Sequence, residues 1–397
     1  MSGIRVCRIV DSFPRKDEIK GDLGPNYYYY SKLSAEQGID VHVICGRKAG
    51  QPESEEVNGI SVHRVSGNLS WWSINYGDWA RNAYRKVLEL KPDIVHGHNA
   101  FHIPLVRKRS SLHQNGIKII THLHGAIDGC LDCDKFPFSF SISKGISNRI
   151  SARQSFMDAA YASKNADFVI ACDKYTANSV LRRFPQMNGR TFVAYNGVDM
   201  NVFRHVDTDL KQRAGIKHML LSIGRPVPFK GFKYVLKGMK ELNREFDGLK
   251  LVLIGVKRQD FGQDIYYRWL ESTARKLGIT NVDMMSTVNY FNLPEYYSAA
   301  DCFVTASYPD SSPKVVYEAQ ACNTPVVAPN GGGIPEIFSP ESGLLFGPRN
   351  VGDMVDKVRT VLNNPSKFRN GRKAVEGIAT WEKCVKDIIR CYAQVVA

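Results

Sequence analysis

Between Ala306 and Phe338 the chain reads ASYPDSSPKVVYEAQACNTPVVAPNGGGIPEIF. Ser312 has the chemistry of a helix N-cap, Pro313 suits the first helical position, and Asn323 with Pro325 forms a stop, so the spacing predicts a helix of about ten residues. The apolar run TPVVAP follows as a short buried strand, and Gly331-Gly332-Gly333 leads into a second helix start at Ile334-Pro335-Glu336. Apolar runs bounded by turn residues, alternating with segments of helical spacing, are the pattern of a parallel sheet covered on both faces. The fold class is therefore α/β.

The same alternation runs outward in both directions. IRVCRIV, DVHVICG, ISVHRV, DIVHGH, IKIITHLH, DFVIAC and TFVAY read as strands in the first half, and HMLLSIG, KLVLIG, VDMMS, DCFVTAS, TPVVAP and GLLF in the second. Between the two sets lies YNGVDMNVFRHVD, whose Asn-Gly turn and polar run mark a boundary near Val206. A chain of 397 residues exceeds what one hydrophobic core usually organises. The expected organisation is two Rossmann-like domains, residues 1–205 and 206–378, facing across a cleft, with a C-terminal helix over 379–397 packing back on the first. That helix, TWEKCVKDIIRCYAQVV, sets Trp381, Val385, Ile388, Ile389, Tyr392 and Val396 on one face.

With 43% hydrophobic, 23% charged and 11% aromatic residues, the composition excludes disordered, collagen-like and coiled-coil classes. No apolar run reaches the roughly 18 residues that a membrane span needs, and MSGIRVCRIVDSF reads as a buried strand without a cleavable signal, so a soluble cytoplasmic protein is expected. The net charge of +14 is spread evenly, with 26 basic against 19 acidic residues up to Asp199 and 27 against 20 beyond. A duplex-binding face concentrates its charge, so no nucleic-acid partner is expected. Anionic small molecules or an anionic membrane surface fit better, with solvated surface lysine as the plain alternative. Nine cysteines, most of them single and inside apolar runs, read as reduced buried thiols. Cys130 and Cys133 form a CxxC downstream of His122 and His124. Lacking a second CxxC, it reads as a redox pair or a surface loop, and no metal site is assigned.

Chemistry concentrates in the second half. Asp310 lies in the loop before the helix predicted at Pro313, and Glu318 in its second turn; a carboxylate accepts from both hydroxyls of a vicinal diol, which sugars and riboses offer. Gly332 and Gly333 allow close backbone approach, and a helix start after them turns free N–H groups toward an anion. Gly224-Arg225 ends the strand LLSIG and Lys230-Gly231 follows, so one short loop offers two cations to a diphosphate. Readers of diol, phosphate and charge on one domain point to a nucleotide sugar. Neither half has GxGxxG after its first strand, offering GDLGPN and GRPVPFKG instead, which disfavours an NAD-dependent dehydrogenase.

Taken together, Gly21-Asp22-Leu23-Gly24, DIVHGHN, THLHG, YNGVD with Phe203, GRxxxxKG, the carboxylate pair, GGIPE and GLLF resemble the retaining family 4 glycosyltransferases of the GT-B fold, over essentially the whole chain. In that family the pair is two glutamates; here the first is Asp310, shorter by one methylene. The resemblance implies transfer of a hexose from a nucleotide-diphosphate sugar to a hydroxyl of a sugar, lipid-linked or small-molecule acceptor, with no metal and no other cofactor. It implies that Arg225 and Lys230 grip the diphosphate, Glu318 the ribose, and Asp310 with Ser311 and Ser312 the transferred sugar, Gly332 and Gly333 lying beside them. It selects His124 as the first-domain group at the sugar, while His96, His98 and His122 read as structural. A nucleotide-sugar 2-epimerase of the same architecture and a nucleotide-sugar-binding protein without turnover stay open as alternatives.

The same resemblance makes Gly21, Asp22 and Gly24 the acceptor or phosphate loop. Asp22 replaces the family's second glycine, opposing an anionic acceptor and suiting a neutral hydroxyl. Asp128 is a candidate for orienting the acceptor. Tyr27 to Tyr30 cannot share one helix face, so at least two are expected in the core and the others at the cleft or surface. Trp71 and Trp72, near Arg81, Arg85 and Lys86, read as a peripheral contact with an anionic membrane, as acceptor-cleft lining, or as packing.

Overall fold

A computed structural model describes residues 3–14, 24–67, 77–99, 101–128, 142–257 and 264–397. Gly21, Asp22, Trp71, Trp72, Cys130 and Cys133 therefore lie outside the described residues. The chain divides into two compact units. Of the described residues, unit 1 comprises the chain up to Asp128 with Arg153–Asn196 and Trp381–Ala397, and unit 2 comprises residues 142–152 with Gly197–Thr380.

Unit 1 carries the strands β1 (Arg5–Ile9), β2 (Asp40–Gly46), β3 (Ser54–Val57), β4 (Ile60–Val65), β5 (Ile94–His98), β6 (Lys118–Leu123), β7 (Phe168–Ala171) and β8 (Thr191–Val193). They form one sheet in the order β3-β4-β2-β1-β5-β6-β7-β8, parallel except for the β3–β4 pair. Val43-Ile44, Ile94-Val95, Ile119-Ile120 and Val169-Ile170 are buried as adjacent pairs, as a sheet covered on both faces requires. Sequence patterning does not reveal β3, because Ser54-Glu55-Glu56-Val57 lacks apolar alternation. It forms because Asn58 and Gly59, at φ 53° and 74°, close a two-residue hairpin onto β4.

The helix Gly24–Glu36 buries all four of Tyr27 to Tyr30, correcting the expectation that some reach a cleft or the surface. Its faces are taken by β2 and β4 and by the C-terminal helix Trp381–Val396, so no side of the tyrosine run is left to solvent. Tyr29 stacks on Trp381 with ring centroids 5.1 Å apart. The C-terminal helix also packs on β5 and β7. Val396, expected on its apolar face, is exposed; Val395 is the buried residue, seven positions after Ile388 and three after Tyr392.

Unit 2 carries β9 (His218–Ile223), β10 (Leu249–Ile254), β11 (Val282–Met285), β12 (Cys302–Val304), β13 (Val326–Pro329) and β14 (Gly343–Phe346). All pair in parallel in the order β11-β10-β9-β12-β13-β14. The helix Phe232–Glu245 turns Phe232, Val235, Leu236, Met239 and Leu242 into the core, and each such burial contributes about 1.5–3 kcal/mol. The segment after Gly197 is tied down by Arg372, whose guanidinium donates to the carbonyls of Met200, Phe203 and Ala321 at 2.9, 2.8 and 3.2 Å.

In both sheets the strand order reverses beside the first strand, between β1 and β5 and between β9 and β12. Ligands of such sheets bind outside the carboxyl ends of the strands at that switch point. Among the described residues no helix is long and apolar enough to cross a membrane.

Candidate functional site

In unit 2 the loops at the switch point are those that sequence singles out. β9 ends at Ile223 and hands over to Gly224-Arg225; its neighbour β12 ends at Val304 and runs into the loop bearing Asp310. Gly231 closes the first loop at φ 71°, where a Cβ would run into the Ala306 carbonyl oxygen. Tyr308 N–H donates to the Phe229 carbonyl at 3.0 Å, so the two loops are fastened to each other. Their side chains meet as well. Lys230 Nζ lies 2.8 Å from Asp310 Oδ2, with the two side chains only 16% and 13% exposed. Ser311 N–H donates to Asp310 Oδ1 at 3.1 Å, so both carboxylate oxygens are held. Arg225 is half-buried on the same loop as Lys230.

The glycine run after β13 packs on the same carboxylate loop. Gly332 adopts φ 63°, and a Cβ there would run into the Asp310 carbonyl oxygen. Gly333 N–H donates to that oxygen at 2.9 Å. The helix expected after it is a single 3₁₀ turn, Ile334–Glu336. Gln320 takes the Ile337 carbonyl at 3.1 Å and the Ser339 N–H at 3.2 Å, which draws the chain off a helical path. The anticipated helix start is thus absent, and the Gly333 N–H is spent on Asp310.

Ser312 is not the N-cap it was expected to be. Its φ of 43° is outside cap geometry, and its hydroxyl lies 3.1 Å from the Tyr317 hydroxyl. The helix is Lys314–Ala321, with Pro313 in the capping position. Glu318 stands in its second turn, 5% exposed, and accepts from Tyr297 Oη at 2.8 Å. Burial, then the Glu318 charge, pushes the Tyr297 phenol well above its ordinary range, so it remains a donor.

Unit 1 presents a histidine cluster at the carboxyl ends of β5 and β6. The register sets His98 opposite His122. His98 Nδ1 lies 2.9 Å from His124 Nε2, His96 Nε2 lies 3.2 Å from His122 Nδ1, and His96 Nδ1 lies 2.6 Å from Tyr392 Oη. Asn99, at φ 49°, receives the His124 N–H on Oδ1 at 3.0 Å and donates its own N–H to the His122 carbonyl at 2.8 Å, fixing the turn that carries His124. His124 is half-buried; His96, His98, His102 and His122 are fully buried. Burial first, then neighbouring histidines and Arg8, holds His96, His98 and His122 well below the ordinary imidazole range, and burial takes His102 down to about 3. These four rings are therefore neutral. Sequence reasoning treated these histidines singly. The signal was present in the alternation HGH and HLH on two adjacent parallel strands. It also passed over Arg8, fully buried on β1 with its guanidinium 5.7 and 5.9 Å from the Tyr30 and Tyr392 rings. Gly24 opens the first helix, and Asp128 pairs with Arg182 at 3.2 Å.

The sequence model described as glycosyl transferases group 1 matches residues 208–376, and that described as glycosyltransferase family 4 matches residues 28–202. The uncharacterized glycosyltransferase MJ1178 of Methanocaldococcus jannaschii is 24% identical over 350 residues, covering 86% of this chain and 87% of that protein. Among solved structures, sucrose-phosphate synthase from Thermosynechococcus elongatus aligns with a TM-score of 0.78 at 18% identity over 99% of both chains. Anabaena Alr3699/HepE, in complex with UDP and glucose, aligns with a TM-score of 0.72 at 18% identity over 99% of this chain and 100% of that one. At such identities the solved structures speak for the fold, while the two sequence matches take one unit each. The chain belongs to the family 4, group 1 glycosyltransferases and has their GT-B fold of two Rossmann-like domains.

Proposed function

We propose that the protein is a retaining hexosyltransferase that moves a hexose from a nucleotide-diphosphate sugar to a hydroxyl of a sugar, lipid-linked or small-molecule acceptor, without a metal ion. The observation that carries this reading is the Lys230–Asp310 pair at the switch point of unit 2. On this reading Lys230 and Arg225 neutralise the diphosphate, and Lys230 exchanges the Asp310 carboxylate for phosphate oxygens as the donor arrives. Oδ2 of Asp310 is then free to accept from a sugar hydroxyl while Ser311 N–H keeps Oδ1 in place. Glu318, oriented by Tyr297, accepts from the ribose, and Ser312, Gly332 and Gly333 line the sugar side. His124 of unit 1 is assigned to the sugar or its developing oxocarbenium charge, and Gly21, Asp22 and Gly24 to the acceptor. The departing phosphate oxygen takes the acceptor's proton, and the new bond forms on the face it vacates, so no protein nucleophile is needed. The UDP and glucose bound to the similarly folded HepE support a nucleotide-sugar donor. A cytoplasmic location is part of this reading, and a peripheral contact with an anionic membrane goes with the lipid-linked acceptor.

The test is a nucleotide-sugar panel screened by thermal shift, followed by acceptor assays on the best donor with and without EDTA. The expected product, by NMR of its anomeric proton, keeps the donor's configuration and forms equally in EDTA. Inverted product, or a 2-epimer released without acceptor, would overturn the reading.

A further inference from the structure

Among the described residues, three acids follow within five positions of the carboxyl end of a unit 1 strand, and they are occupied differently. Asp173, after β7, is fully buried and caps the helix Lys174–Arg183 by accepting the Thr176 N–H at 2.7 Å. Asp128, after β6, pairs with Arg182. Asp11, two residues beyond β1, is exposed and forms no ion pair among the described residues.

Asp11 is also the acid at the switch point. The strand order reverses between β1 and β5, and β6 comes next, so Asp11, Asn99 and His124 rise from three successive strand ends. At about 4.8 Å per strand, β1 and β6 lie about 10 Å apart, a gap that one sugar ring bridges with a hydrogen bond at either side. The Asp11 carbonyl accepts the Gly46 N–H at 3.3 Å, which ties this turn to the end of β2.

The carboxylate is held from the protein side. Its own N–H and that of Ser12 donate to it, and the Tyr27 hydroxyl faces it. Tyr27 is 2% exposed, and its hydroxyl has no partner in hydrogen-bond geometry among the described residues. No ligand reaches a hydroxyl so enclosed, so the group it serves is Asp11. Burial, then the Asp11 charge, keeps the Tyr27 phenol well above its ordinary range, hence a donor. Crowding beneath Asp11 raises its carboxyl from the ordinary value, and the two N–H groups, Tyr27 and the charge of Lys48 oppose that rise. A carboxylate offers about four acceptor positions, and three donors on the protein side leave one for the exposed edge. The Tyr27 ring is fixed edge-on against His98 at 5.1 Å, and His98 Nδ1 lies 2.9 Å from His124 Nε2, so one packed chain joins Asp11 to His124.

We propose that Asp11 determines acceptor specificity: its exposed edge accepts from a hydroxyl of a neutral polyol, and its charge turns away acceptors that carry phosphate or carboxylate at that place. Tyr27 is its positioning residue. This rests on the reading above, which sets the acceptor at unit 1, and narrows that acceptor to a neutral, hydroxyl-rich group. A hydroxyl donating to a carboxylate makes a charge-assisted bond, whereas a second anion there meets like charge.

The experiment offers the best donor of the nucleotide-sugar screen to wild type, Asp11→Asn, Asp11→Ala, Tyr27→Phe and the Asp11→Ala/Tyr27→Phe double variant. Acceptors are neutral sugars (glucose, fructose, methyl glucoside) and charged ones (glucose 6-phosphate, fructose 6-phosphate, glucuronic acid), with products read by mass spectrometry and nucleoside-diphosphate affinity by calorimetry. Wild type is expected to prefer the neutral sugars. Asp11→Asn should raise acceptor KM about tenfold or more and shrink the preference for neutral over charged acceptors about tenfold or more, at unchanged nucleoside-diphosphate affinity. Tyr27→Phe should raise acceptor KM about threefold, and add nothing once Asp11 is alanine, since its hydroxyl acts through that carboxylate. A wild type that prefers the charged sugars, or that consumes donor yet glycosylates none of the neutral ones, overturns the proposal. So does Asp11→Asn with the acceptor KM and preference of wild type, or with weakened nucleoside-diphosphate binding, which would assign Asp11 to the donor or to the fold. Those two results at Asp11→Asn leave the transferase reading standing. A wild type that binds no nucleotide sugar removes that reading and this proposal with it, before any acceptor is added.

Discussion

Acidification should unfold unit 1 through its buried histidines. His96, His98, His102 and His122 are neutral when folded, with values held below the ordinary 6.5, whereas in the unfolded chain each regains that value. Depressed folded values mean that the unfolded state binds more protons on the acid side. The stabilisation is therefore complete above about pH 6.5 and is lost as pH falls from there toward the folded values. At about pH 5 each unfolded imidazole gains about 2 kcal/mol by protonation, or about 8 kcal/mol for the four. That rivals the whole stability of a domain, about 5–15 kcal/mol. Urea titrations at a series of pH values, followed by the fluorescence of buried Trp79 and Trp381 in unit 1, give the slope directly. Between about pH 5 and 6 it should approach 5 kcal/mol per pH unit, the uptake of about four protons on unfolding. His102→Leu should lower the uptake by about one proton. An uptake of one proton or fewer in the wild type would mean that these rings protonate in the folded state, and the neutral cluster would not stand.

Four substitutions probe unit 2. Asp310→Ala should leave affinity for the nucleotide diphosphate at or above the wild-type value, since Lys230 loses its competitor, while transfer falls about 100-fold or more; Lys230→Ala should weaken the nucleotide about tenfold, both read by calorimetry and turnover. Gly332→Ala forces a left-handed alanine into the Asp310 carbonyl, so it should cost about 1–3 kcal/mol in urea unfolding and damage transfer more than nucleotide binding. Arg372→Ala strips three carbonyls of their donor and should cost about 2–4 kcal/mol, seen as a lower midpoint of the unit 2 transition, with donor affinity retained in the folded protein.

The parallel strands were legible because a sheet buried on both faces writes continuous Val and Ile runs, and the β3 hairpin was not, because a Ser-Glu edge strand has no apolar face to declare itself. Its only signal was the Asn58-Gly59 dipeptide, a backbone requirement and not a pattern of hydrophobicity. The tyrosine run failed for a different reason. Helical spacing says which residues share a face, but not how many faces are covered, and the packing of the C-terminal helix on Gly24–Glu36 decides that from more than 350 residues away. The misplaced cap at Ser312 is one local preference overruled by another, since its hydroxyl is engaged with Tyr317 five residues on.

At the candidate site each residue type was legible, and the pairing was not. Lys230 and Asp310 are 80 positions apart, and only the adjacency of β9 and β12 brings their loops together. The pairing changes what the residues mean. A lysine waiting for phosphate in a mostly buried position would be an uncompensated charge, costly to hold. Opposed by Asp310, it is neutralised before the donor binds, and on the proposed reading it is neutralised again by the diphosphate afterwards. On that reading one anion replaces another, so the desolvation of Lys230 is met in both states, and the carboxylate assigned to the sugar is released only when the phosphate side is filled. The shorter Asp310 fits this exchange, because the Ser311 and Gly333 contacts hold its loop and carboxylate in place whether or not Lys230 is bound. Asp310→Asn separates the two duties: with no carboxylate to oppose Lys230, nucleotide affinity should lose the part of its salt dependence that reflects the competing pair, while Ser311 N–H still has an oxygen to meet. Wild-type and Asp310→Asn proteins with identical nucleotide affinities at every ionic strength would show that the pair is not in competition with the diphosphate.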